Sequence, residues 1–468
     1  MNYVCLTCLT DDYLRRNLAH SQNACDFCQD PGPTVLLDEV SEACEGVLAN
    51  LFFVVHETWP KSRKRWQPKL GFSLTDVVQK LDAVGPQALQ ALSAATLQRW
   101  ARRVSKGPYT DENQPWFHIR NDLHAPVSVA WTEMERSLRE EARYLNPHAQ
   151  RVLTSVLGGI HHDRDENGKP VVIEAGPGCE INRLVRARVF ESQEAIAEAL
   201  SQPAKFLGPP PPGKGKAGRM NAKGQPAFYG ATDARVALAE VRPPVGAWVV
   251  TAAFEITRRV KLLDLRGLAG LEYAFGKSLF DPATQEAARR QAFLRMLAQR
   301  LMLPVLPEFE ERDYFITQVI ADYLAMHGDE PIDGIVYPSV QSIQEGGPLP
   351  QGARPTTGIN VALFPRSTRV EGADGGPMFI VDAWDEQEGG RFLMPLLSRL
   401  PPAEPPVQAP AQAATATTPP TGGWNERPYT LRLDVEGLRA HWIRGVQVHD
   451  FTDDLVIMPA EYGGWEAP

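Results

Sequence analysis

Apolar residues recur with helical spacing through the first third of the chain. From Leu36 to Val55, the positions Val40, Ala43, Val47, Leu48, Leu51 and Val55 fall on one broad face, which predicts a helix over that span. The same reasoning predicts helices over Leu74–Val84, Pro86–Arg102 and, rich in Glu and Arg, Ala130–Tyr144. Residues 35–155 therefore read as an all-helical segment. The period then shortens to two. Val171–Ile173, Arg183–Phe190, Trp248–Ile256 and Leu262–Leu265 read as strands, with Arg186 and Arg188 on the face opposite Val185, Ala187 and Val189. Two longer helices are expected, from Asp281 to Leu303 and from Asp313 to Met326, before a strand Gly334–Tyr337. The expected fold class is α+β, with small β-sheets and flanking helices.

One stretch breaks a local rule. Gly218-Arg219-Met220-Asn221 opens a polar loop, Ala227-Phe228-Tyr229 forms a short strand, and Thr232 or Asp233 caps a short helix that Pro243 stops. Glu240 then lies in the last turn, where the helix dipole disfavours a carboxylate by a few tenths to about 1 kcal/mol. A solvated pair with Arg235 or Arg242 would be an unremarkable explanation, and a functional carboxylate is the other.

The cysteines add a second chemistry. Cys5, Cys8, Cys25 and Cys28 have the spacing C-x2-C-x16-C-x2-C, which fits a structural zinc site of four thiolates. Cys44 and Cys179 fall outside that pattern and read as idle thiols, and His20 as a surface residue. The net charge of −9 argues against general nucleic-acid binding, and Lys61–Lys69, a basic run, reads as a solvated loop. No apolar run is long enough to span a bilayer and the start has no apolar leader segment, so a cytoplasmic protein is expected. A strand–loop–helix with the glycine signature of dinucleotide dehydrogenases is absent from the sequence. His161-His162-Asp163-Arg164-Asp165 precedes a turn-rich loop and reads as a hairpin-like connection rather than a metal site.

Six blocks together resemble the RES-domain toxin family. They are Arg186 in LVRAR, Gly218-Arg219-Met220-Asn221, Tyr229, Ala237-Leu238-Ala239-Glu240, Tyr337-Pro338-Ser339, and Gly358-Ile359-Asn360 leading to Phe364. The chain departs from the family in having Val185 and Ala187, not an aromatic residue, beside Arg186, and Met220 where Trp is common. The resemblance implies an ADP-ribosyltransferase-like fold and NAD+ as substrate. It implies Glu240, Arg186 and Ser339 as catalytic residues, and Arg219, Asn221, Tyr229, Tyr337 and Arg188 as substrate-binding residues. An antitoxin or immunity protein, and a second copy of the chain, are the partners it admits. The helical segment resembles HEPN modules, whose ribonuclease members have four to six residues between an Arg and a His; here only three lie between Arg120 and His124. An inactive, structural module is expected there.

The expected organisation is a zinc knuckle (1–34), a helical HEPN-like segment (35–155), a connection (156–180) and a RES domain (181–366). An extension (367–400), a Pro/Ala/Thr-rich linker (401–425) and a C-terminal β appendix (426–468) follow. The function expected is cleavage of the nicotinamide–ribose bond of NAD+, by water or phosphate. The alternatives are transfer of ADP-ribose to a macromolecule, or a zinc-dependent nucleic-acid regulator with an inert RES domain.

Overall fold

The computed structural model describes residues 2–29, 31–55, 71–104, 115–120, 122–271, 278–303, 305, 308, 310–326, 330–339, 358–386, 393–400 and 424–445. The basic run Lys61–Lys69, residues 401–423 of the linker and residues 446–468 of the expected C-terminal appendix lie outside them.

The N-terminal segment is not all-helical. Its first helix is Leu37–Leu51, and the apolar run that continues it, Phe52–Val55, is a strand. That strand pairs antiparallel with Trp116–Ile119, which also pairs with Phe72–Ser73. Helices Leu74–Leu81 and Pro86–Arg103 cover this small sheet, and Trp100 meets Phe117 edge-on at 5.4 Å. A helical face and a buried strand are equally apolar over four residues, so period alone cannot separate them. The Glu/Arg-rich helix begins earlier than expected, at Ala125, because Pro126 fits its first turn, and it ends at Glu140. A further helix, Pro147–Leu157, starts at Asn146, whose side chain accepts from the backbone N–H groups of His148 and Ala149. Asn146-Pro147 is a capping signal that the hydrophobic pattern did not bring out.

The second body is organised on an eight-stranded sheet. From one edge its order is Leu431–Trp442, Trp248–Ile256, Arg183–Phe190, Phe228–Ala231, Ile359–Leu363, Gly334–Pro338, Val260–Asp264 and Val172–Ala175. Neighbours are antiparallel except Val260–Asp264 and Gly334–Pro338. The described part of the expected C-terminal β appendix joins this sheet rather than standing apart. Leu431–Trp442 is one strand at the sheet edge, with a register shift between Asp434 and Arg439. One face of the sheet buries Leu184, Phe228, Phe254, Val361 and Leu363. Helices Pro282–Met302 and Glu310–Met326 build a second core with Leu263, Ile335 and Phe364.

The two bodies share packing. Leu279, Phe280 and Ala292 belong to the core of the N-terminal segment, and Asn50 Nδ2 donates to Gln285 Oε1 at 3.2 Å. The long helix Pro282–Met302 therefore touches the N-terminal core at one end and, through Leu301, the candidate site at the other.

Candidate active site

The sheet opens at one seam. Strands Arg183–Phe190 and Phe228–Ala231 share a single registered pair, Val185 with Ala231. By contrast, Arg183–Phe190 stays in register with Trp248–Ile256 over its full length. Beyond Val185 the two strands part, and a cleft lies between Arg186 and Ala187 on one side and Tyr229 and Gly230 on the other. Helix Ala234–Glu240 packs on this seam through Val236 and Ala237, which join Ala187, Ala231 and Val249. Asp233 caps it, accepting from the N–H groups of Arg235 and Val236. The cap fixes the start of the helix, and its seven residues then carry Glu240 to the cleft floor.

Among the described residues, Glu240 is held by hydrogen bonds rather than by an ion pair. Its Oε1 accepts from Ser339 Oγ at 2.5 Å and from Asn360 Nδ2 at 2.7 Å. Asn360 lies on strand Ile359–Leu363 opposite Tyr337, and Ser339 directly follows strand Gly334–Pro338, its N–H donating to Gly358 O at 2.6 Å. Ser339 and Asn360 are buried, whereas Glu240 is open to the cleft. Two donors to one oxygen offset the unfavourable helix end and leave Oε2 facing the recess, without a partner among the described residues. Asn360 was visible in the sequence as part of a motif but not as a site residue; its link to Glu240 spans 120 positions. Arg242, also at this recess, is held at φ 43°, a conformation that costs a side-chain-bearing residue about 1–3 kcal/mol.

Arg186 faces the cleft from the parted strand. Its guanidinium lies 5.2 Å from the centre of the Phe228 ring, so the next strand supplies the aromatic contact that Val185 and Ala187 do not. Its Nη1 is buried with no hydrogen-bond partner among the described residues. Burial, reinforced by the like charge of Arg188, pulls the pKa of Arg186 down to about 10. A sealed donor without an acceptor costs roughly 1–3 kcal/mol, which an anionic ligand would recover.

The remaining expected residues divide by their contacts. Tyr229 and Tyr337 line the same two recesses as Glu240. Burial pushes both phenols well above their usual range, so both stay neutral donors. Arg219 lines the Glu240 recess, but its Nη1 and Nη2 donate to the carbonyls of Leu301 and Leu303 at 2.6 and 2.9 Å, closing the end of the long helix. Asn221 is buried and holds the loop together: its Nδ2 reaches the carbonyls of Lys216, Ala222 and Gln225, and its Oδ1 accepts from Tyr229 Oη. It places Tyr229, and its Nδ2 hydrogens are engaged by backbone carbonyls. Gly218 is required beside it, since a Cβ there would stand 2.7 Å from both Asn221 Oδ1 and Tyr229 Oη. Arg188 donates to Phe206 O and lines a further recess.

Asn221→Ala is expected to lower stability by about 1–3 kcal/mol, because three carbonyls and a buried hydroxyl lose their partner. Urea unfolding monitored by circular dichroism checks this. An unchanged midpoint would mean the loop is held by other contacts.

Residues 184–377 match the family model of the RES domain. The chain carries a RES domain. The matched span holds both walls of the cleft and the two residues, Ser339 and Asn360, that donate to the Glu240 carboxylate. Comparison with curated proteins gives no match. Among the described residues, no helix is long and apolar enough to cross a membrane.

A separate cluster lies outside the RES domain. The thiols of Cys5, Cys8, Cys25 and Cys28 all fall within 4.8 Å of one another and can hold a metal ion. The Sγ atoms of Cys5 and Cys28 are 3.4 Å apart, close to the roughly 3.8 Å edge of a tetrahedral thiolate shell. Burial and neighbouring thiols push the Cys8 pKa well up. Cys25 is pulled down to about 7, because backbone hydrogen bonds at Cys5, Phe27 and Cys28 outweigh its burial. Cys44 is fully buried at its own place in the core, and Arg120 is paired with Asp122 through two hydrogen bonds.

Proposed function

We propose that the RES domain binds NAD+ across the parted seam and cleaves its nicotinamide–ribose bond, with water or phosphate as acceptor. The observation that carries this reading is the Glu240 carboxylate, held through one oxygen by Ser339 and Asn360, in a cleft that it shares with Arg186, whose buried Nη1 has no hydrogen-bond partner among the described residues. Departure of nicotinamide builds positive charge on the ribose. A fixed carboxylate beside that sugar stabilises the oxocarbenium-like state, since the dipoles and charge are already oriented. Oε2 is the atom free to meet the ribose or its hydroxyl. Arg186 would receive the pyrophosphate, and the Tyr229 and Tyr337 rings would flank the nicotinamide. Ser339 and Asn360 act as positioning residues through Glu240. Near the other end of the chain, the four clustered thiols hold one structural zinc ion in this account.

Arg186→Ala is expected to raise KM for NAD+ at least as much as it lowers kcat, because the pyrophosphate contact is made in both the bound and the transition state. Ser339→Ala should act mainly on kcat, and less than loss of the Glu240 charge. Steady-state kinetics of nicotinamide release measures both. An Arg186→Ala protein with an unchanged KM would remove this residue from substrate binding.

A further inference from the structure

The cleft does not end at Arg186. Past Arg186 and Tyr229 it runs into a recess of about 570 Å³, a volume within the range of small-molecule sites. Five cations line this far recess: Arg186, Arg188, Lys205, Lys214 and Lys216. Among the described residues no carboxylate lines it, in a chain whose net charge is −9. The wall that bears the lysines is built rather than loose. Gly213 N–H donates to Gly224 O and Gly224 N–H to Gly215 O, each at 2.8 Å, so this loop is stitched to the loop that Asn221 holds. Arg188 uses one donor on Phe206 O, while Lys205 meets the neutral amide of Gln202 and the face of the Phe206 ring, and no carboxylate among the described residues. Lys214 and Lys216 are exposed.

The order along the cleft is Glu240, then Arg186, then the lysines. Glu240 and Arg186 line one recess together, and Arg186 lines the next without Glu240. With the ribose to be cleaved at Glu240 and the pyrophosphate at Arg186, the adenosine half extends among the lysines. Each phosphate of the pyrophosphate carries one negative charge, and Arg186 and Arg188 already match them. Three lysines are then left with nothing to neutralise. A phosphate monoester adds about −1.5 to −2 at neutral pH and three acceptor oxygens, which fits that surplus.

We infer that the preferred substrate of this RES domain is a nicotinamide dinucleotide carrying a third phosphate on its adenosine ribose, read by Lys205, Lys214 and Lys216. The inference rests on the placement of the dinucleotide proposed above. It changes the substrate class and leaves the bond that breaks unaltered.

Calorimetry of the full chain with ADP-ribose and with 2′-phospho-ADP-ribose tests it without relying on turnover. The phosphorylated ligand is expected to bind roughly tenfold more tightly at low salt, and the advantage to shrink as salt rises. In a Lys205→Ala/Lys214→Ala/Lys216→Ala variant the ratio of the two affinities should fall towards one, with the unfolding midpoint retained because these side chains are exposed. Turnover of NADP+ against NAD+ should follow the same ratio in wild type and variant. Equal binding of the two ligands by the wild-type chain would overturn this inference and leave the Glu240 reading standing. Binding of neither ligand would overturn both.

Discussion

Glu240→Gln is expected to slow nicotinamide release from NAD+ by roughly a hundred- to a thousandfold while the protein remains folded. That factor is what loss of about 3–4 kcal/mol of transition-state stabilisation produces. The fold should survive for a local reason. The Gln carbonyl oxygen can still accept from Ser339 Oγ and Asn360 Nδ2, so the end of the helix keeps both anchors. What disappears is the negative charge at Oε2, the atom that no described residue occupies. The effect should therefore fall on kcat rather than on the unfolding midpoint. A folded Glu240→Gln protein that consumes NAD+ at the wild-type rate would remove this residue from the mechanism.

Removal of metal from the four-thiol cluster is expected to unfold the N-terminal segment, with about one zinc ion lost per chain. Structural zinc contributes on the order of 10–16 kcal/mol of apparent binding energy in small zinc-finger peptides. Part of that is offset here, because Cys5, Cys8 and Cys25 also sit in a hydrophobic cluster with Leu9, Leu14, Val35 and Val84. The cluster is nevertheless tied into the surrounding chain at both ends. Gly85 N–H donates to Cys8 O at 2.8 Å, and strand Tyr3–Cys5 pairs with Thr34–Leu36. Metal analysis followed by chelation, or a Cys8→Ser variant, should show the loss as a lower and broader thermal transition. A metal-free preparation with the wild-type transition would contradict a structural ion.

The parts of this molecule legible in its sequence are those fixed by local pattern. Strand Trp248–Ile256, helix Pro282–Met302 and the Asp233 cap come from period and capping residues, and lie where those signals put them. Phe52–Val55 was not legible, because four apolar residues after a helix satisfy both periods and its partner, Trp116–Ile119, lies more than sixty positions away. Candidate site residues show the same divide. The unusual place of Glu240 at a helix end marked it, and the structure brings Ser339 and Asn360 to it from 99 and 120 positions on. Composition could not say how Arg219 and Asn221 are engaged. A guanidinium and an amide in a polar loop suit a phosphate or a backbone carbonyl equally well, and in the fold both reach carbonyls.

The most direct test of the account is to incubate the purified full chain with NAD+, with and without phosphate, and to follow nicotinamide by chromatography. Stoichiometric release of nicotinamide is expected, with ADP-ribose as co-product if water is the acceptor and its phosphorylated form if phosphate is. NAD+ recovered intact after prolonged incubation with folded protein, under both conditions, would contradict it.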